Sequence, residues 1–461
     1  MTIRYRKESD SIGEMDVPKD AYYGVQTLRA VENFPITGHR VHPLFIAMLA
    51  RVKHAAAVVN GNEGRLYRSR ADAIIRACQD IENGKLSDAF LVDAIQGGAG
   101  TSANMNMNEV VANRAAELLG GALGDYSLVH PNDHVNMCQS TNDVIPTAGK
   151  LTVFSLITPL GDALLALEET LNQKAVEFHD VIKMGRTQLE DAVPMRLGQS
   201  FHAYGSMVAR DRARILAARD EMRTVNLGAT AIGTGLNATD YYKANILPVL
   251  SDLVGFSLNK ADDLFDATEN LDGFVTVSAA VKTCAVDLSK MCNDLRLLAS
   301  GPRTGFGEIN LPARQNGSSI MPGKINPVIP EVVTQVAFNI VGNDTAIVMA
   351  AEAGQMELNA FEPVVFYNLF EAIETLTAAV GTLTQNCIRG ITANRAHIRD
   401  LLESSVGMIT AVCPFIGYKQ AADIAKDSLR TGTPIRSLLK ERNLLSDEEI
   451  IRLLDPAGMV S

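Results

Sequence analysis

Val277-Ser278-Ala279-Ala280-Val281-Lys282-Thr283-Cys284-Ala285-Val286-Asp287-Leu288-Ser289-Lys290-Met291-Cys292-Asn293-Asp294-Leu295-Arg296-Leu297-Leu298 decides the fold class. Val277, Val281, Cys284, Leu288, Met291, Leu295 and Leu298 keep the alternating 4-3 spacing of a heptad seam for three full repeats. Gly301-Pro302 then stops the run, because glycine readily takes the left-handed terminal conformation and proline cannot continue a helix. Leu160, Leu164, Leu167 and Leu171 follow the same spacing, as do Leu369, Ile373, Leu376, Val380 and Leu383. Stripes of this kind are core positions rather than cofactor boxes. A helix of about 25 to 30 residues is roughly 40 Å long, more than a compact monomer covers on all sides. Bundling of such helices, between subunits as well as within one, is therefore expected.

The rest of the composition fits that reading. A chain of 461 residues exceeds what one compact core usually holds, so two or three domains are expected. Apolar residues make up 47% of it, an ordinary share for a globular protein. A net charge of −11 argues against nucleic acid or an anionic membrane as the main partner, and an anionic substrate would have to be held by local cations and backbone amides. With no run of eighteen apolar residues and no apolar core in Met1-Thr2-Ile3-Arg4-Tyr5-Arg6-Lys7, a cytoplasmic location is the default expectation. The six cysteines, at 78, 138, 284, 292, 387 and 413, show no CxxC pairing and read as reduced thiols packed in helices. Cys138 alone lies near a chemically rich motif, where a small residue packed beneath a site explains it best.

Taken in order, residues 1 to about 45 carry turn signals (Pro18-Lys19-Asp20, Pro35, Gly38, Pro43) and predict an irregular opening segment. From Leu44 to about Asn113 the pattern is helical and strand signals are nearly absent. Gly98-Ala99-Gly100-Thr101-Ser102-Ala103 loosely fits a dinucleotide-binding turn, but Leu86 to Ile95 before it reads as helix or loop rather than the strand such a turn needs. An amide-rich turn at a helix start, suited to a carboxylate, is the better reading. His130 and His134 have the i, i+4 spacing of helical metal ligands, yet Pro131-Asn132-Asp133 between them reads as a turn, so no metal is assigned. Past about residue 395 the helices shorten, and Gly432-Thr433-Pro434-Ile435-Arg436 turns into a last helix. The resulting division is 1–139, an N-terminal domain; 140–395, a central helical-bundle domain; and 396–461, a small C-terminal helical domain.

The chemistry concentrates in Gly317-Ser318-Ser319-Ile320-Met321-Pro322-Gly323-Lys324-Ile325-Asn326-Pro327. Two hydroxyls, one cation and one carboxamide lie within nine residues, between glycines that let the backbone approach a small ligand. The prolines interrupt any helix, so this is a loop feeding a helix whose first turn holds Pro330 and Glu331.

That loop resembles the GSSxMPxKxN signature of the aspartase/fumarase superfamily. The likeness extends to Tyr22-Tyr23-Gly24-Val25-Gln26-Thr27, Gln96 to Ser102, Asn104 to Glu109, His130 to His134, Ser140-Thr141-Asn142-Asp143-Val144-Ile145-Pro146-Thr147, and Gly185-Arg186-Thr187-Gln188. The resemblance implies a mainly α, three-domain subunit with a central long-helix bundle that assembles into the multi-helix core of a homotetramer. Each active site would then be shared between three subunits. It implies elimination from a four-carbon dicarboxylate through an aci-carboxylate, with Ser318 as the proton-abstracting base. Thr101, Ser140, Thr141 and Ser319 would donate to the carboxylate where charge accumulates. Lys324 and Asn326 would hold the α-carboxylate, and Asn142 and Thr187 the amino group, with Gln188 beside them. His130, Asn132 and Asp133 would border a second carboxylate site. Each Ser or Thr could equally be a helix cap, and both roles can coexist.

Position 188 separates the branches of this superfamily. Fumarases carry Thr-His here, whereas Thr187-Gln188 resembles aspartases; glutamine cannot hand a proton to a departing hydroxide, while an already protonated amine needs none. Asn226 to Asn237 and Gly342-Asn343-Asp344 are also closer to aspartases. The expected activity is thus release of ammonia from L-aspartate to give fumarate, a carbon-nitrogen lyase reaction with no organic cofactor and a small-molecule partner. Ala238-Thr239-Asp240-Tyr241-Tyr242 departs from the Pro/Gly-containing turn usual in aspartases and leaves another succinyl amine open as substrate. Fumarase is the other enzymic alternative. A non-catalytic scaffold, like the lens crystallins related to argininosuccinate lyase, is disfavoured by intact Ser318, Lys324, Asn326, Thr101 and Ser140. A bare helical interaction scaffold would leave the loop unexplained.

Overall fold

A computed structural model describes residues 4–460. It is mainly helical, with five long helices at Thr141–Glu177, Leu197–Asp220, Asp272–Leu298, Val328–Glu352 and Glu362–Asn386. Every residue of the three heptad stripes except Leu298 is buried. Fully burying one such side chain contributes about 1.5–3 kcal/mol, so the stripes rather than intrinsic propensity hold these helices. Pro146 and Pro159 stand inside the first of them without ending it.

The described residues form two compact units. One takes residues 1–161, 213–283 and 338–375, the other 162–212, 284–337 and 376–461, so the boundaries fall inside the long helices. In the second unit the short C-terminal helices close over Met184, Leu402, Met408, Val412, Ile424, Ile435, Leu438, Leu439, Ile450 and Leu454.

The opening segment is more ordered than its turn signals predict. Tyr5–Ser9 and Glu14–Pro18 pair as an antiparallel hairpin, and a helix follows at Val25–Asn33. The cause is distant in sequence: the buried Glu109 carboxylate accepts from the backbone N–H groups of Gly24, Gln26 and Thr27 and from the Thr27 hydroxyl. An anion at a helix start satisfies donors that the helix itself leaves unpaired. The C-terminal end also differs from expectation. Two helices, Ile435–Glu441 and Asp447–Leu453, follow Pro434, because Ser446 and Glu449 form a capping box that starts the second.

A second hairpin, Ile182–Thr187 with Glu190–Arg196, stands in a region whose sequence pattern predicts only long helices. Its turn residues Gln188 and Leu189 both have positive φ, 55° and 68°. Such turns favour Asn and Gly, neither of which announces this one.

Four helical stretches, 43–62, 141–177, 328–352 and 362–390, are long and apolar enough to cross a membrane by length and composition. The first nevertheless buries Lys53, His54 and Asn60 inside the fold.

Candidate active site

In the first unit, two helix starts meet. Gly98, Ala99 and Gly100 all have positive φ and turn the chain into the Thr101–Leu118 helix, while the Thr141–Glu177 helix opens immediately after Ser140. Among the residues leading into the first turn, 87–89 form a short 3-10 helix and no strand is present, so the dinucleotide pattern lacks the context it requires. A Cβ on Gly100 would stand 2.8 Å from Ile145 Cγ2, so the glycine is what lets the two helix starts approach.

Asn104, one turn into the first helix, donates to Thr141 Oγ1 at 3.1 Å. Because Thr141 accepts there, its own proton remains available to a ligand. Ser140 Oγ likewise accepts, from Asn142 N at 3.3 Å. Thr101 differs: its hydroxyl donates to Gly98 O, so it would have to rotate before donating to a substrate.

Beneath these groups lies a buried polar network. Lys53, fully buried, donates to Asn104 Oδ1, Asn136 Oδ1 and Gln139 Oε1 at 2.7, 2.9 and 3.0 Å. Burial pulls its ammonium down to about 7, against the pull of the Asp143 carboxylate. Asp143 accepts from Ser140 N at 2.9 Å and from Gly228 N and Thr230 N at 3.0 and 3.1 Å, and burial pushes it up to about 6. Sequence reasoning passed over Lys53, Asn136, Gln139 and Asp143 as functional. The legible signal was Lys53 beside His54 at the head of the apolar stretch Ala55-Ala56-Ala57-Val58-Val59, since an unpaired buried charge is too costly to persist.

His130, Asn132 and Asp133 occupy a tight turn. His130 Nδ1 accepts from the N–H groups of Asn132 and Asp133, both at 3.2 Å, and His134 Nδ1 accepts from His130 N at 2.8 Å. Each ring thus spends Nδ1 on backbone donors and leaves Nε2 as its other polar end. Asn132 and Asp133 are exposed.

In the second unit, Thr187 closes a strand and Gln188 stands at the hairpin tip. The strand before them is anchored by Glu308, buried to 1% exposure, which faces Lys183 at 3.1 Å and Arg186 at 2.7 Å, while the Phe306 ring lies 4.4 Å from the Arg186 guanidinium carbon. The 317–326 loop is stitched to itself: Gly317 N donates to Lys324 O at 2.9 Å and Asn326 Nδ2 to Gly317 O at 3.1 Å. Ser318 Oγ accepts from Ile320 N and Met321 N, both at 3.1 Å. Ser319 and Lys324 are exposed, and the Val328–Glu352 helix holds Pro330 and Glu331 in its first turn, as expected. The candidate residues therefore form two sets, Thr101, His130 to Asp133 and Ser140 to Asn142 in one unit, Thr187, Gln188 and 318–326 in the other.

Comparison with known proteins supplies the class of this helical chain, a lyase. The Lyase family (Lyase_1) matches residues 13–342, and the family described as fumarase C C-terminus matches 408–461. The chain belongs to the aspartase/fumarase superfamily. Aspartate ammonia-lyase of Bacillus subtilis is 50% identical over 99% of this chain and 96% of its own length, and that of Escherichia coli 48% identical over 98% and 95%. Among solved structures, a fumarate lyase:delta crystallin from Brucella melitensis bound to cobalt is 47% identical with a TM-score of 0.96, covering 99% of both chains. A class II fumarase from Schistosoma mansoni is 34% identical with a TM-score of 0.95, again over 99% of both.

Proposed function

We propose that this chain is an aspartate ammonia-lyase, converting L-aspartate reversibly to fumarate and ammonia. The observation that carries the proposal is the Ser318 hydroxyl receiving two backbone N–H groups at 3.1 Å. A serine hydroxyl ionises far above neutral pH, and donors aimed at its oxygen favour the alkoxide over the alcohol. In the proposed reaction Ser318 takes the proton from the carbon beside the β-carboxylate. The C–H electrons move into that carboxylate as an aci-carboxylate dianion, held by Thr101, Ser140, Thr141 and Ser319. Collapse forms the carbon-carbon double bond and breaks the C–N bond, so the ammonium group departs as ammonia. Lys324 and Asn326 hold the α-carboxylate, and Asn142 and Thr187 the amine. Gln188 at the hairpin tip supplies no acid, which suits an amine and not a hydroxide.

The same reading includes a cytoplasmic homotetramer of subunits divided at about 139 and 395, with each pocket completed by three subunits. Supporting it, Phe338, Val341, Val348 and Met349 leave an apolar row exposed along one helix, at 69, 40, 43 and 66%. A row of that kind on a long helix is a packing face for a partner. A second reading, elimination of a different succinyl amine, draws on Tyr242. It belongs to the departing 238–242 stretch, is fully buried, and its phenol is raised in pKa by burial and by Asp143.

The test is fumarate's ultraviolet absorbance on mixing purified protein with L-aspartate, with L-malate and N-substituted aspartates in parallel. Turnover of L-aspartate above the others is expected. Turnover of malate alone, or of a substituted amine alone, would replace the proposal with the corresponding sister activity.

A further inference from the structure

Asn142 is fixed at both its side chain and its backbone. Its Nδ2 donates to Ala231 O at 2.7 Å, and Asn226 Nδ2 donates to its carbonyl oxygen at 3.1 Å. A backbone carbonyl only accepts, so the nitrogen end of the Asn142 amide must face Ala231. The end left over is Oδ1, a pure acceptor. That polarity matches an ammonium group and mismatches a carboxylate.

The loop supplying Ala231 is itself latched from below. Asp143 Oδ2 takes Gly228 N and Thr230 N, while Oδ1 of the same carboxylate takes Ser140 N. Asn226, 1% exposed, spends the remaining proton of its amide on Thr268 Oγ1 at 3.0 Å. Thr230 adopts φ of 59°, a conformation unusual for a β-branched residue and held here by its N–H contact to Asp143. The Asp143 carboxylate and the Asn226 amide nitrogen are both fully engaged, while the buried Thr230 hydroxyl makes no hydrogen bond, and shared contacts of this number favour a single arrangement of the loop over a range.

We propose that the 226–231 loop is a positioning element for the leaving amine: Asn226 and Asp143 hold it so that Ala231 O turns the Asn142 amide oxygen toward the substrate ammonium. The inference rests on the reaction proposed above. The loop touches no substrate, and its effect is selectivity for an amine over a hydroxyl or an unsubstituted carbon at that position.

The experiment compares full-length wild-type enzyme with Asn226→Ala and Thr268→Val, measuring kcat/KM for L-aspartate and inhibition by succinate, a dicarboxylate lacking the amine. Asn226→Ala should lower kcat/KM about tenfold or more while the succinate inhibition constant moves less than about threefold, as expected when one oriented contact to a charged group is lost. Thr268→Val should lower kcat/KM in the same selective way but less, about threefold, with the succinate inhibition constant unchanged. If Asn226→Ala does not fold, Thr268→Val is judged by the same ratio. Variants within about twofold of wild type on L-aspartate overturn the inference, as does parallel weakening of succinate, which would mark the loop as general support. Wild-type enzyme that turns over malate and not aspartate overturns the function and this inference together; active wild type with unaffected variants overturns this inference alone.

Discussion

Two serine-bearing segments serve the proposed site, and they are built in opposite ways. Ser140 to Asp143 sits at the head of a 37-residue helix, over a fully buried lysine and against a loop more than eighty residues away in sequence. Ser318 to Asn326 is tied to itself by its own backbone, the Ser318 hydroxyl and one carboxamide, with Ile320 82% exposed. The first is a fixed anchor whose geometry is set by the whole unit. The second carries its oxygen-stabilising donors with it, since Ile320 N and Met321 N move wherever Ser318 moves. A base on such a loop can approach and leave the substrate without losing the contacts that make it basic.

The contrast breaks most visibly at Ser318. Ser318→Ala removes the proposed base without touching a buried group, so kcat should fall on the order of 10²–10⁴-fold with the melting temperature unchanged. A variant retaining a third of wild-type turnover would take Ser318 out of that role and leave the anchor as the chemical centre.

Asp143 tests the other side. Its carboxylate, pushed up to about 6 by burial, serves three N–H donors as an anion; once protonated, one oxygen becomes a donor and the latch loosens. Lys53 is the cation facing it, and the buried Tyr242 phenol stays neutral in this range. A raised pKa means the proton is gained as pH falls through about 6, so kcat/KM should decline on the acid side of that value. Asp143→Asn should have lower activity throughout and lack that acid limb, as pH-rate profiles would reveal. An identical limb in the variant would assign it to another group.

How much of this was legible in the chain follows the same divide. The 317–327 loop could be read directly, because its hydroxyls, lysine and asparagine are adjacent and their contacts are local. The heptad stripes could be read for the same reason: burial every third or fourth residue is a property of one helix. The anchor's supports could not. Asp143 meets Gly228 and Thr230, Lys53 meets Asn104, Asn136 and Gln139, and Glu109 meets Gly24 to Thr27, pairings that only the folded chain makes. The hairpin at 182–196 was hidden for a different reason, since Gln188 and Leu189 carry a turn that sequence statistics assign to Asn and Gly.

The smallest expected effects sharpen the comparison best, because two glycines share a backbone conformation and differ only in surroundings. Gly100 in the anchor and Gly323 in the loop have φ of 84° and 83°. Alanine at either position meets the left-handed penalty of roughly 1–2 kcal/mol. At Gly100 its Cβ also meets Ile145 Cγ2 at 2.8 Å, which adds overpacking of about 1–3 kcal/mol in a position where two helix starts must stay close. At Gly323 nothing lies within 4 Å. Gly100→Ala should therefore lower both the melting temperature and kcat/KM, whereas Gly323→Ala should lose only the backbone increment and keep its KM. Equal losses of activity in the two variants would mean that the loop is as tightly determined as the anchor, and that Ser318 is placed by constraints beyond its own backbone.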